Sequence, residues 1–218
     1  VWPWLAHSIG TAEGTITTVT LTSMDSFFII VFQIAVSALV MRFKPLSAMM
    51  GGILVLSGGL MMMFSTQSGW MILLGILIFG LGEMSSSPKF TEYVGRIAPP
   101  DKKALYMGTS FLPYAGGHAL AGWLSGDIYE KTSDKIYLLQ KEIAKRGISL
   151  PEISETYSKN DFFNEAAAKM VMTKQELTNF IWAEYHPSNI WLVYSGVAVL
   201  SVVLLFVYDR FILRRQQN

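Results

Sequence analysis

The stretch that decides the fold is WMILLGILIFGLGEMSSSPKFTEYV, running from Trp70 to Val94. A membrane-spanning helix needs about 20 consecutive, mostly apolar residues. Trp70 to Leu81 is apolar, and the run continues through Glu83 towards Val94. Its midpoint falls near Gly82, so Glu83 sits close to the centre of a bilayer. An ionised side chain there costs at least about 2.5–3.5 kcal/mol on insertion scales. Such an acid is tolerable when protonated, paired, or facing a water-filled cavity. Burial favours its neutral form and a nearby cation its charged form. A site that alternates between those surroundings binds and releases a proton. The plainer alternative is a structural acid bonded to a neighbouring helix.

Four more candidate spans flank this one. Phe27 to Met41 is apolar apart from Gln33 and Ser37, and needs residues from Ser23 onward to reach full length. Leu46 to Phe64 is rich in Gly and Met, Ala104 to Leu124 carries small residues, and Ile190 to Tyr208 has no charge. Composition agrees. Of 218 residues, 51% are hydrophobic and only 15% charged, against about 25% charged in soluble domains. Most charges gather in short clusters and in one long segment, Lys131 to His186. A net charge of +1 offers no bulk attraction for nucleic acid. Cysteine is absent, so redox compartment is not addressed. The chain opens on Val1 with no signal-peptide pattern, which reads as part of a longer protein.

Basic clusters orient the spans, because cytoplasmic loops are enriched in Lys and Arg. They fall at Arg42 and Lys44, at Arg96, Lys102 and Lys103, and at Arg210, Arg214 and Arg215. These are every second connection, as alternating spans require. The C-terminus is therefore expected in the cytoplasm and residues 131–186 outside. Pro45 marks a helix start, and Pro99-Pro100 separates two spans. Gly51-Gly52, Gly58-Gly59 and Gly116-Gly117 permit close helix contact.

The outer segment 131–186 is charge-balanced. Ser149-x-x-Glu152 and Thr173-x-x-Glu176 read as capping boxes. Lys135 to Lys145 and Thr173 to Tyr185 have helical apolar spacing, so two or three short amphipathic helices are expected. Residues 1–24 are too polar and broken for a full span, and read as the end of a preceding helix plus an outer loop. Residues 25–130 then hold four spans, and 187–218 the last span with a basic tail.

Several polar residues are candidates for a site. Asp25 opens its span as either a helix N-cap or a cavity-lining acid. Ser110, Tyr114 and His118 follow at helical spacing and would share one polar face. Lys89 and Glu92 lie towards the cytoplasmic end, where they form a gate pair or snorkel to the interface. Hydrolytic, metal and nucleotide motifs are missing, and Ser85-Ser86-Ser87 has no neighbouring His. The expected function is therefore not enzymatic, with no metal or cofactor beyond protons as coupling ion.

Gly82 to Leu112 resembles the proton-dependent oligopeptide transporters of the major facilitator superfamily. The matching features are Glu83, Ser87-Pro88, Ala98-Pro99, Met107-Gly108 and Phe111-Leu112. The resemblance implies an all-α membrane protein, the C-terminal six-helix half of such a carrier. The five spans become its eighth to twelfth helices, residues 1–24 the tail of the seventh, and 131–186 an extracytoplasmic insert. It also implies Glu83 near the bound solute and the coupling machinery, with Ser87 beside it in the cavity. Asp25 and Ser26 stand where the family has Asn-Pro, and Ser110 where bacterial members often have Trp. These departures fall on substrate-contacting positions. Implied partners are a small-molecule substrate, the lipid bilayer of the plasma (inner) membrane, and the N-terminal half of the same transporter. The expected activity is proton-coupled symport of di- or tripeptides or a related solute. A carrier for an organic anion or sugar, or a non-transporting membrane protein whose outer segment binds a partner, are the other readings.

Overall fold

The computed structural model describes residues 16–213, and all regular structure within them is helical. The chain divides into two compact units, Val1–Pro113 with Trp191–Asn218, and Tyr114–Ile190. Residues 1–15 and 214–218 lie outside the described residues, so the basic tail at Arg214 and Arg215 does too.

The first unit contains α1 (Thr18–Val40), α2 (Pro45–Phe64), α3 (Gly69–Ile97), α4 (Lys103–Thr109) and nearly all of α10 (Asn189–Val207). Four helices are long and apolar enough to cross a membrane, over Val19–Val40, Pro45–Phe64, Gly69–Ile97 and Asn189–Ile212. The chain is therefore that of a membrane-embedded helical protein. Proline and hydroxyl side chains set the ends. Pro45 occupies the first turn of α2, where its missing N–H leaves no intrahelical bond unmade. Ala98 caps α3, and Pro99 and Pro100 follow into a short 3-10 turn, Pro100–Lys102.

Two expectations change here. The first helix begins earlier than hydropathy suggests, at Thr18. Thr17 is its N-cap, its hydroxyl accepting from the Thr20 N–H at 3.2 Å, and the Ser23 hydroxyl donates to the Val19 carbonyl. Hydroxyls that bond back to the helix let a Thr-rich stretch stay helical among apolar residues. Residues 18–24 thus form the first turns of α1 rather than an outer loop. The span expected over Ala104–Leu124 is also not one helix. It divides into α4 and α5 (Leu112–Trp123) and then passes into a π-helical turn, Leu124–Ile128. Pro113 has no N–H to offer the Thr109 carbonyl. The Phe111 N–H bonds Gly108 instead, and the Ser110 hydroxyl covers the Met107 carbonyl.

Packing between α2 and α3 is organised by four glycines, two on each helix and seven residues apart: Gly52 and Gly59, Gly75 and Gly82. A Cβ on Gly59 would lie 2.6 Å from the Gly75 carbonyl, and one on Gly52 would lie 2.8 Å from the Gly82 carbonyl. Backbones meet directly, which is how helices gain van der Waals contact where lipid supplies no hydrophobic drive. Gly51, Gly58, Gly116 and Gly117 have nothing within 4 Å of such a Cβ. Each of the first two doublets therefore contributes one contact glycine.

The second unit contains most of α5, then α6 (Tyr129–Ser133), α7 (Lys135–Lys145), α8 (Lys159–Lys169) and α9 (Lys174–Tyr185). Its core is built from Leu138, Leu139 and Ile143 of α7, Phe162, Phe163, Ala166 and Ala167 of α8, and Leu177 and Ile181 of α9. The box at Thr173 and Glu176 forms, with both reciprocal bonds present. The one at Ser149 and Glu152 does not, because 148–157 is not helical. Ser158 and Asp161 form the second box instead.

Candidate functional site

The geometry of the first unit follows from which face of α3 each neighbour covers. Gly75 and Gly82 carry α2. Gly80 carries α1, since a Cβ there would meet the Asp25 Oδ1 at 3.2 Å. Glu83 lies one turn beyond Gly80 and so projects from that same side of α3. Asp25 is not the N-cap of α1, a role held by Thr17. It lies two turns inside the helix, against the middle of α3. Its Oδ1 is enclosed and has no hydrogen-bond partner. An enclosed polar atom left unpaired is costly and calls for an explanation. The structure thus brings together the two acids singled out by sequence.

Backbone bonding around Glu83 is loosened. Pro88 lies inside α3 and has no N–H for the Met84 carbonyl. The serine hydroxyls bond the carbonyls just before it, Ser85 donating to Leu81, and Ser86 to Gly82 and, at 3.3 Å, to Glu83. Ser87 is exposed.

Beyond Pro88 lies the predicted gate pair. Lys89 is buried and bonds Glu92 at 2.7 Å on its own helix. It also donates to the Phe43 carbonyl at 3.3 Å, tying α3 to the α1–α2 connection. Glu92 in addition pairs with Arg96. Ser37, Val40 and Met41 of α1 line a cavity of about 60 Å³ with Ser85, Pro88, Lys89 and Glu92. Both predicted gate residues are thus engaged within this unit. The buried Lys89 is thus satisfied by a carboxylate and a carbonyl.

The expected polar face of Ser110, Tyr114 and His118 does not exist as one helical stripe. Ser110 lies in the break after α4, with its hydroxyl turned to the Met107 carbonyl at 2.7 Å. Tyr114 and His118 lie a turn apart on α5, both exposed and both within the second unit. The helical spacing was read across a proline-directed break. Among the described residues, no group of three or more acidic or histidine side chains is placed to hold a metal ion.

Two polar pairs escaped sequence reasoning. The Ser57 and Ser195 hydroxyls meet at 2.6 Å between α2 and α10, and both residues are buried. The Tyr93 and Tyr208 hydroxyls meet at 3.1 Å between α3 and the π-helical turn Tyr208–Leu213 that continues α10. The available signal is a lone hydroxyl inside an apolar span, which tends to seek a partner on another helix.

No family model, curated protein or solved structure matches the chain.

Proposed function

We propose that the chain is part of a proton-coupled secondary transporter of the plasma membrane, the C-terminal half of a major facilitator carrier that moves a small solute by alternating access. The observation that carries this reading is the placement of two acids inside apolar helices, Asp25 of α1 against Gly80 of α3 and Glu83 one turn further along that side. Ionisable residues within spans mark ion and substrate pathways and proton relays. The Gly82–Leu112 resemblance supports the same reading and suggests peptides or related small solutes. The helix that bears Glu83 is also weakened by Pro88, a place where a spanning helix bends.

Residues 131–186 are read as the extracytoplasmic insert. A second reading, a non-transporting membrane protein whose outer segment binds a partner, is favoured by one observation. The second unit has a hydrophobic core of its own.

Solute uptake into proteoliposomes under an imposed pH gradient separates the two, using the full-length protein with Glu83→Gln and Asp25→Asn. The carrier reading expects gradient-driven uptake of dipeptides that drops about tenfold or more in either variant. Uptake indifferent to the gradient and to both substitutions sinks it.

A further inference from the structure

Two hydrogen-bonded pairs of different kinds join α10 and the turn that continues it to other helices of the first unit. At its outer half, Ser57 and Ser195 exchange hydrogen bonds in a fully enclosed setting. The hydroxyls lie at 2.6 Å, and each hydroxyl also approaches the other residue's carbonyl at 3.4 Å. At its far end, a single bond joins the Tyr93 and Tyr208 hydroxyls, only partly buried. The serine pair is enclosed, and the tyrosine pair is only partly covered. Breaking the serine pair would strand two enclosed hydroxyls, which makes it the costlier of the two to lose.

The surroundings of the tyrosines fit movement. Tyr93 follows Pro88, where the α3 backbone ladder is interrupted. Tyr208 opens a π-helical turn, a form of backbone that recurs at functional positions. Thirteen residues separate Ser195 from Tyr208, roughly 20 Å of helix at about 1.5 Å each. A tilt of about 10° about the serine pair then shifts the tyrosine end by roughly 3.5 Å. That displacement abolishes a bond of 3.1 Å.

We propose that the Tyr93–Tyr208 pair is a latch between the ends of α3 and α10, and that α10 swings about Ser57–Ser195 when the latch opens. The purpose of the latch, gating one side of a transport cycle, rests on the carrier reading above. Its existence does not.

The test measures distance in the full-length protein in lipid vesicles, by electron paramagnetic resonance between spin labels at Ile97→Cys and Phe211→Cys. Both positions are exposed, and the chain has no native cysteine. Tyr93→Phe and Tyr208→Phe keep both rings and remove only the bond. The latch expects each Phe variant to raise the ratio of the long-distance to the short-distance population about two- to tenfold, the range of one net hydrogen bond. The double Phe variant should match the singles, because all three lose the same bond. Unchanged distributions in the Phe variants overturn the proposal. So does an additive effect in the double variant, or a response to one tyrosine alone. Lower thermal stability without a population change reads as a merely structural bond and overturns it as well. Uptake is not needed for this readout, so failure of the latch and failure of the carrier reading remain distinguishable.

Discussion

At the residue scale, Val171 is the clearest case of a side chain at odds with its backbone. It has φ 55°, in the left-handed region, and is 92% exposed. The cause is the end of α8. The Val171 N–H bonds the Ala168 carbonyl and the Met172 N–H bonds Ala167, the two bonds of a Schellman motif. The position after the cap in that motif normally falls to glycine. A branched Cβ is strained there, and a side chain so exposed gains little packing in return. Val171→Gly is expected to stabilise the second unit by about 1 kcal/mol, read as a raised denaturation midpoint. An unchanged or lowered midpoint refutes the account. Gly147, with φ 67°, ends α7 in the conformation that suits it.

At the scale of helices, the α2–α3 pair makes a sharp prediction. Gly82→Ala places a methyl 2.5 Å from the Gly52 carbonyl, and Gly59→Ala places one 2.6 Å from the Phe79 N–H. The obstacles are backbone atoms, so the helices must part. Each variant is expected to lose about 1–3 kcal/mol, seen as earlier thermal unfolding in detergent. Gly51→Ala and Gly58→Ala meet nothing within 4 Å and should lose nothing, gaining up to about 1 kcal/mol from the better helix propensity of alanine. Helix propensity works the other way, since alanine favours helix over glycine, so losses of equal size in all four would show that the backbone contact is not what decides. Which member of each doublet touches α3 was not legible in sequence, because it depends on the rotation of one helix against another. Helix positions were legible where local chemistry fixes them, as at Pro45, Pro99-Pro100, Lys135–Lys145 and the box at Thr173. The start of α1 was missed because threonine hydroxyls bond the backbone and conceal helix behind polar composition. The break at Ser110 was missed because hydropathy is blind to the N–H that Pro113 lacks. Glu83 stands out in the sequence by depth and cost, and Asp25 as an acid at the start of its span. Their placement on one side of α3 came from the face that Gly80 leaves open to Asp25.

At the scale of the whole molecule, the second unit should behave as a water-soluble module with its own pH limits. Its core joins α7, α8 and α9, and long-range polar bonds add to it. Glu142 is buried on α7 and accepts from the Tyr185 hydroxyl at 2.7 Å across to α9 and from the Arg146 Nε at 2.7 Å. Burial pushes the Glu142 carboxyl up, but Tyr185, Arg146 and the Lys145 charge outweigh it and hold the group below its ordinary range. Glu165 is lowered first by the Tyr157 hydroxyl, Asp161 by the Ser158 hydroxyl and N–H, and Glu176 by the Thr173 N–H. A carboxyl lowered on folding contributes stability above its unfolded pKa, and that stability is lost as pH falls through the folded value. All four therefore act in one direction, and the module should weaken progressively below about pH 4.5. Tyrosine sets the alkaline limit. Burial, and then the bond to Glu165, push Tyr157 up to about 12, and burial with the Glu142 bond raises Tyr185. Their neutral forms are favoured on folding, so this stability is present below about pH 10 and lost as pH rises beyond it. A segment of this size buries a modest fraction of its surface and is only marginally stable, so these groups should be visible in its unfolding. The excised segment 134–187 is expected to be helical and monomeric in water, melting cooperatively and most stably between those limits. Glu142→Gln should flatten the acid limb, because it removes a titrating group while keeping the shape. A segment that is unfolded near neutral pH, or that melts equally well at pH 3 and pH 7, would show that its order depends on the rest of the chain.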